Sequence, residues 1–244
     1  MGLVCGSKIF LAKIDEISFN YLNFIKKNEI TILPLVSSHL RILLTQLKNR
    51  KINLKVRLIT NTGSELRNDL VKKFLDIYKN VEVYSMYGLT ECKRVSILNS
   101  KEYAKKYNSV GKPIKETKCW IIDEKGKKIY KPGIKGELVV QGKNVTMGYL
   151  NDATLTKKKF KFPNKLYTGD IFSFDRGGYL YFFGRKDDIF KYKDYRLSKK
   201  EIEKNISGIK QIKDTFVYVN EKFANYTIYI VTRLKLETAI KKIK

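Results

Sequence analysis

No run of about 18 apolar residues occurs in this chain of 244, so no transmembrane helix and no stable membrane insertion are expected. The opening stretch, MGLVCGSKIFLAKIDE, lacks a basic segment leading into a long apolar core, which argues against a secretory signal. Cysteine is scarce. Cys5, Cys92 and Cys119 fall at no metal-binding or disulfide spacing, and they fit a reduced, cytoplasmic protein. Neither an internal repeat nor a low-complexity linker interrupts the sequence. Acidic residues are also few: 24 Asp and Glu stand against 50 Lys and Arg, a formal net charge of +26. Such a balance ordinarily points to nucleic acid or an anionic membrane. Arginine is the scarcer base, however. Nine Arg leave 41 Lys, whereas readout of base edges favours arginine. The lysines are spread along the whole chain, and Ile, Asn, Tyr and Lys are abundant together, as AT-rich coding would make them. No nucleic-acid partner is expected.

What the chain does have is apolar material. Its 43% hydrophobic content, with 16 Tyr and 13 Phe, suffices for one large domain or two modest ones. Residues 15–28 carry Ile17, Tyr21, Phe24 and Ile25 at helical spacing. EITILPLV then reads as a buried strand. SSHLRILLTQLKNR reads as a helix with Ser37 or Ser38 as N-cap and Leu40, Leu43, Leu44 and Leu47 on its apolar stripe. KVRLITN is a second strand, and ELRNDLVKKFLDIY a helix with Leu66, Leu70, Phe74 and Leu75 inward. VEVYSMY is a third strand. This alternation predicts a parallel sheet with crossover helices. The pattern changes near residue 110. KCWIIDEKGKKIY, GELVVQGKNVTMGYL and GYLYFFGR predict short strands with glycine punctuation, an antiparallel or barrel-like subdomain. A third regime begins near residue 185. It holds a helix capped by Ser198 with Glu201 three residues on, then the strands IKDTFVYVN and YTIYIVTRL. The expected fold is therefore α/β. A partial large domain, made of a parallel part (1–108) and a β-rich part (109–184), precedes a small, truncated α+β domain (185–244).

Ligands bind beyond the carboxyl ends of parallel strands. Two loops are expected there, NTGSEL after the second strand and YGLTE after the third. A glycine-containing loop can approach a flat base closely. Tyr87 could stack on it, Thr90 could donate to a phosphate oxygen, and Glu91 could hold Mg²⁺. In LYTGD, Asp170 follows an expected glycine turn and could accept two hydrogen bonds from a ribose diol. In GRKDDIFKYKDYRLSKKEIE, Arg185 could bind ribose or phosphate. Each segment taken alone also reads as a solvated turn.

The order of the segments is more specific. TGSEL, YGLTE, GELVVQGKNVTMGYL, YTGD and GRKDDIFK…EIE together resemble the adenylate-forming ligase family: AMP-forming acyl-CoA synthetases, adenylation domains of non-ribosomal peptide synthetases, and luciferases. MYGLTECKR with NTGSEL and SVGKPI is most similar to the acyl-CoA or acyl-carrier-protein ligase branch. The resemblance implies that Tyr87 stacks on adenine and that Gly63, Ser64 and Gly88 line the adenine slot. It implies that Thr90 touches phosphate, Glu91 binds Mg²⁺, Asp170 accepts the ribose hydroxyls, and Arg185 contacts ribose or phosphate. It makes Asp187 the hinge of a mobile small domain. His39, after LPLVSS, falls where the family lines its acyl pocket; the alternative is a surface residue at a helix start. The implied reaction activates a carboxylic acid with ATP as an acyl-adenylate. It then transfers the acyl group to the thiol of CoA or of carrier-protein phosphopantetheine.

Three departures from the family pattern stand out. No Ser/Thr/Gly-rich phosphate loop ending in Lys-Gly is found; CGSK is too short. Lys241, Lys242 and Lys244 lie in no Pro…Gly-Lys segment, so none takes the role of the family's adenylation lysine. Asp194 stands where the family usually has glycine, on the path of the pantetheine arm. These departures lead to the expectation of a C-terminal portion of a split or truncated ligase, complemented by a missing N-terminal fragment. The alternatives are a non-catalytic nucleotide- or carrier-protein-binding remnant, and a basic module that docks nucleic acid or an acidic acyl carrier protein.

Overall fold

A computed structural model describes the chain apart from residues 1–5, 49–50, 62, 64–65, 162, 193–194, 210, 221–224 and 244. Ser64, Asp194 and Lys244 therefore lie outside the described residues, as does the side chain of Lys242. The fold is mixed α/β, and the chain divides into two compact units, Met1–Lys115 and Glu116–Lys244.

The first unit opens with α1 (Ile14–Lys27), β1 (Ile32–Leu35), α2 (Ser37–Leu47), β2 (Leu58–Asn61), α3 (Asn68–Ile77) and β3 (Glu82–Leu89). The three strands pair in parallel, Ile32 with Leu58 and Leu58 with Glu82, as the strand–helix alternation predicts. Leu40, Leu43 and Leu47 of α2 are fully covered, and α2 packs on both α1 and α3. Each completely buried leucine of this kind contributes about 1.5–3 kcal/mol. Neither expected serine caps α2. Val36 is the N-cap without a side-chain bond, and Ser37 Oγ accepts the Arg67 N–H at 2.8 Å instead. The inward face of α3, which starts at Asn68, is Leu70, Val71 and Phe74, whereas Leu75 is only half-buried.

The largest departure from expectation follows β3. The sheet continues with two antiparallel strands, β4 (Cys92–Leu98) and β5 (Lys112–Pro113), giving the order β1-β2-β3-β4-β5 among the described residues. Between β4 and β5 lies α4 (Ser100–Lys106). The Asn99 side chain caps it by accepting the Glu102 N–H at 3.1 Å and donating to Glu102 Oε2 at 2.8 Å.

The second unit holds β6 (Lys118–Ile122), β7 (Lys128–Ile129), β8 (Gly136–Gln141), α5 (Ala153–Lys159), β9 (Phe160–Lys161), β10 (Lys165–Phe174) and β11 (Leu180–Arg185). Every pairing among them is antiparallel, in the order β11-β10-β8-β6-β7 with β9 beside β10. Leu138, Val139 and Val140 of the central strand β8 are wholly buried, so both of its faces are covered. A 3₁₀ turn, Lys186–Asp188, leads into the hairpin β12 (Ile189–Tyr192) and β13 (Tyr195–Ser198). Then come α6 (Lys199–Ser207), the hairpin β14 (Ile212–Asn220) with β15 (Asn225–Thr232), and α7 (Leu236–Ile243). The expected Ser198 cap of α6 forms, with Ser198 Oγ accepting the Glu201 N–H at 3.4 Å. The Glu201 carboxylate turns away to pair with Lys135.

Candidate nucleotide site

In the first unit the expected YGLTE loop is a β-hairpin. Strand β3 runs on to Leu89, Thr90 and Glu91 form a two-residue turn, and Leu89 pairs with Cys92. The register shifts between Tyr87 and Leu89, where β4 carries the extra residues of a bulge opposite Gly88. Gly88 is required there by close approach. A Cβ on it would stand 2.0 Å from the Lys93 carbonyl oxygen. Local sequence could not show this, because Cys92, Ser96 and Ile97 return as a strand only once they pair with β3. Tyr87 and Glu91 are half-buried and Thr90 is exposed.

Sequence reasoning passed over Asn61, the last residue of β2. It is 7% exposed. Its amide donates to Met86 O at 2.7 Å and accepts the Met86 N–H at 2.5 Å. The β2–β3 backbone ladder pairs Leu58, Ile59 and Thr60 with Glu82, Val83 and Tyr84. The Asn61 side chain thus carries the pairing two residues further along β3, to the residue before Tyr87. Gly63, exposed with φ +66, follows directly in the NTGSEL segment. Asparagine at a strand end before Thr-Gly was the available signal.

His39 is half-buried on α2, its ring edge-on to Tyr21 of α1 at 6.1 Å. Burial pushes the Tyr21 hydroxyl up to about 12.

In the second unit the expected glycine turn of LYTGD is instead a bulge inside β10. Pairing with β8 breaks between Tyr167 and Ile171. Thr168 Oγ1 donates to Leu138 O at 2.8 Å and accepts the Asp170 N–H at 3.1 Å, which satisfies the disrupted ladder. Gly169 adopts φ +73, a conformation that favours glycine. Asp170 is 2% exposed, directly opposite Arg185 on β11, with Asp170 Oδ1 2.9 Å from Arg185 Nη1. A buried carboxylate needs a counter-charge, and antiparallel register supplies it. The Arg185 side chain remains 39% exposed, so the guanidinium is open to a ligand. Asp187, in the 3₁₀ turn, is mostly in solvent at 3.9 Å from Arg185 Nη2.

Two further residues belong to this cluster. Glu137 of β8 accepts the Gly169 N–H at 3.1 Å and pairs with Lys186 at 3.2 Å, and so holds the bulge open. Glu137 also lines an open cleft of about 650 Å³ with Ile122, Ile171, Lys186, Ile189 and Phe190. The GELVV segment was singled out in the sequence, but nothing local marks its glutamate as the partner of a glycine 32 residues away. Among the described residues no group of three or more His, Cys, Asp or Glu gathers as a metal cage. Among them, too, no helix is long and apolar enough to cross a membrane.

The α/β first unit, the antiparallel second unit and the buried Asp–Arg pair describe a known type of fold. O-succinylbenzoate coenzyme A synthetase (MenE) from Bacillus subtilis in complex with AMP superposes with a TM-score of 0.80 at 22% identity, covering 96% of this chain and 48% of that one. VinN superposes with a TM-score of 0.62 at 31% identity over 66% of this chain and 41% of that one. Residues 1–150 match the family described as AMP-binding enzyme, and the chain belongs to that family. Among curated relatives, 4-coumarate–CoA ligase-like 6 of Arabidopsis thaliana is 30% identical over 83% of this chain, and gramicidin S synthase 2 of Aneurinibacillus migulanus is 30% identical over 70%. The chain spans 36% of the length of the first and 4% of the second.

Proposed function

We propose that this chain forms the adenine–ribose side of an AMP-forming acid–thiol ligase. A carboxylic acid would attack the α-phosphate of ATP, giving an acyl-adenylate and pyrophosphate. The thiol of CoA or of carrier-protein phosphopantetheine would then take the acyl group. Membership of the AMP-binding enzyme family supports the nucleotide, and the names of the ligase relatives support the reaction class. The observation that carries the reading is Asp170. A carboxylate that is 2% exposed, held beside a half-open guanidinium at a glycine bulge, is built to accept a diol while its charge stays balanced.

In this reading Tyr87 stacks on adenine, and Gly63, Ser64 and Gly88 line the adenine slot. Asp170 orients the ribose, Arg185 draws in phosphate, and Thr90 at the hairpin turn donates to a phosphate oxygen. Glu91 beside it is a hard oxygen donor. A single carboxylate fits Mg²⁺, which is commonly held by one or two carboxylates with the substrate's phosphates and water. When bound, the ion would offset the negative charge of the phosphates. The protein's contribution is positioning and charge complementarity. His39 lies in the segment proposed to border the acyl group. Asp187, exposed between β11 and β12, is the proposed hinge of a mobile segment, 185–244. Cytoplasmic localisation completes the proposal.

The test is acid-dependent exchange of labelled pyrophosphate into ATP, screened over a panel of carboxylic acids, with AMP binding measured alongside. Exchange above the acid-free background that falls at least tenfold in Asp170→Asn supports the ligase. AMP binding without exchange would reduce the chain to a nucleotide-binding remnant. The absence of both AMP binding and exchange would refute the nucleotide reading.

A further inference from the structure

We propose that Lys159, with Arg185, forms an anion site over the Gly169 bulge that takes a phosphate group of the nucleotide. This rests on the reading of Asp170 and Arg185 as the ribose side of the site. Three lysines end α5, and they differ. Lys157 and Lys158 are exposed, whereas Lys159 is half-buried. A Cβ placed on Gly169 would lie 2.9 Å from Lys159 Nζ and 3.5 Å from Arg185 Nη2. Both cations therefore stand over the same glycine. The absent side chain at Gly169 is what leaves room for them.

Charge accounting around the bulge leaves Lys159 in excess. Asp170 offsets Arg185 at 2.9 Å, and Glu137 offsets Lys186 at 3.2 Å. Asp187 stands 3.9 Å from Arg185 Nη2 and is 82% exposed, where solvent screens it. Among the described residues Lys159 has no carboxylate within ion-pair distance. Two like charges facing one spot repel, and an anion between them reverses the sign. The ordinary alternative for a lysine here is neutralising the carboxyl end of the helix. That duty is met elsewhere, since Lys161 Nζ donates to Lys157 O at 3.1 Å.

Lys159 is also held in place. Phe160, the C-cap, pairs with Leu166 of β10 and packs its ring on Tyr149 at 5.4 Å. The end of α5 is thereby tied to the strand that carries Gly169 and Asp170. The segment DATLTKKKFKF gives no hint of this, because all three lysines look alike in sequence.

The test compares AMP with adenosine, which lacks the phosphate, in equilibrium titrations of the full chain. The wild type, Lys159→Gln, Lys159→Arg and a control, Lys125→Gln on the β6–β7 turn, are measured at fixed ionic strength. The wild type should bind AMP more tightly than adenosine. Lys159→Gln should weaken AMP by about tenfold, the size of one charge-assisted hydrogen bond, and leave adenosine within about twofold. Lys159→Arg should retain most of the preference, and the control should match the wild type. An unchanged AMP-to-adenosine ratio in Lys159→Gln, or an equal loss of both ligands, overturns the assignment while leaving the ribose reading of Asp170 intact. Binding of neither ligand by the wild type overturns both.

Discussion

Asn61→Ala removes two hydrogen bonds that hold the backbone of Met86 in line for Tyr87. Among the described residues the β2–β3 ladder ends with Thr60 and Tyr84, so truncation leaves the Met86 N–H and C=O to imperfect solvation. An orphaned buried group costs about 1–3 kcal/mol. Two of them, partly reached by water in the space the side chain vacates, predict a loss of about 2–4 kcal/mol. Asn61→Asp sharpens the argument. A carboxylate can still accept the Met86 N–H, but it faces the Met86 carbonyl oxygen, which the native amide meets at 2.7 Å, with nothing to donate. At neutral pH this variant should lose at least as much stability as the alanine. Its introduced carboxyl, buried against an acceptor, has a folded pKa raised above the ordinary aspartate value. The native state then binds a proton more tightly than the unfolded state does. The deficit relative to wild type is therefore relieved at low pH and appears as pH rises through the raised value. Urea unfolding at about pH 5 and pH 7.5 measures both effects, and hydrogen exchange at the Met86 amide reports the local one. An Asn61→Ala variant within about 0.5 kcal/mol of wild type, the usual scatter for an inert surface change, with Met86 exchange unaltered, would refute this role of Asn61.

Two more perturbations probe local geometry and charge. Gly88→Ala places a methyl 2.0 Å from the Lys93 carbonyl oxygen, so the hairpin must open. A cost of about 1–3 kcal/mol and weaker AMP binding are expected, and an unchanged melting temperature would contradict the close approach. Asp69, in the first turn of α3, has a pKa lowered below the ordinary value. Burial acts to raise it, but the two-pronged Arg67 bond at 3.0 Å, the Arg67 and Lys73 charges and the Leu70 N–H outweigh that. A lowered folded pKa means the stabilisation is present above the unfolded value and is lost as pH falls through the folded one. Asp69→Asn should cost about 0.5–1 kcal/mol near pH 7 and progressively less in acid; an equal cost at both would refute the pairing.

The residues proposed to hold the nucleotide were legible in different degrees. Asp170 and Arg185 could be singled out as a carboxylate after glycine and an arginine between structural regimes. Their mutual contact could not, because it depends on which residues of β10 and β11 face each other. Tyr87, Thr90 and Glu91 were placed near a strand end, correctly, but in a loop. The returning strand β4 reads as CKRVSIL, whose charged start hides its pairing. Glu137, Asn61 and Lys159 escaped notice for one common reason: each acts on the backbone or beside a glycine at a place the chain reaches only after folding.

Helical period in α1, α2 and α3, strand runs between them, and the glycine-punctuated stretch from residue 118 onward are local properties of the chain. They set the alternation of elements, the α/β class and the order of the segments that mark the AMP-binding enzyme family. Register, bulges and close approaches are pair properties of distant residues. Only folding brings the Lys93 carbonyl to Gly88, the Asn61 amide to Met86, and Arg185 with Lys159 to the bulge at Gly169. A strand's alternating pattern says which residues share a face. It does not say which residue of the neighbouring strand stands opposite, and the charge balance at Asp170 is decided there.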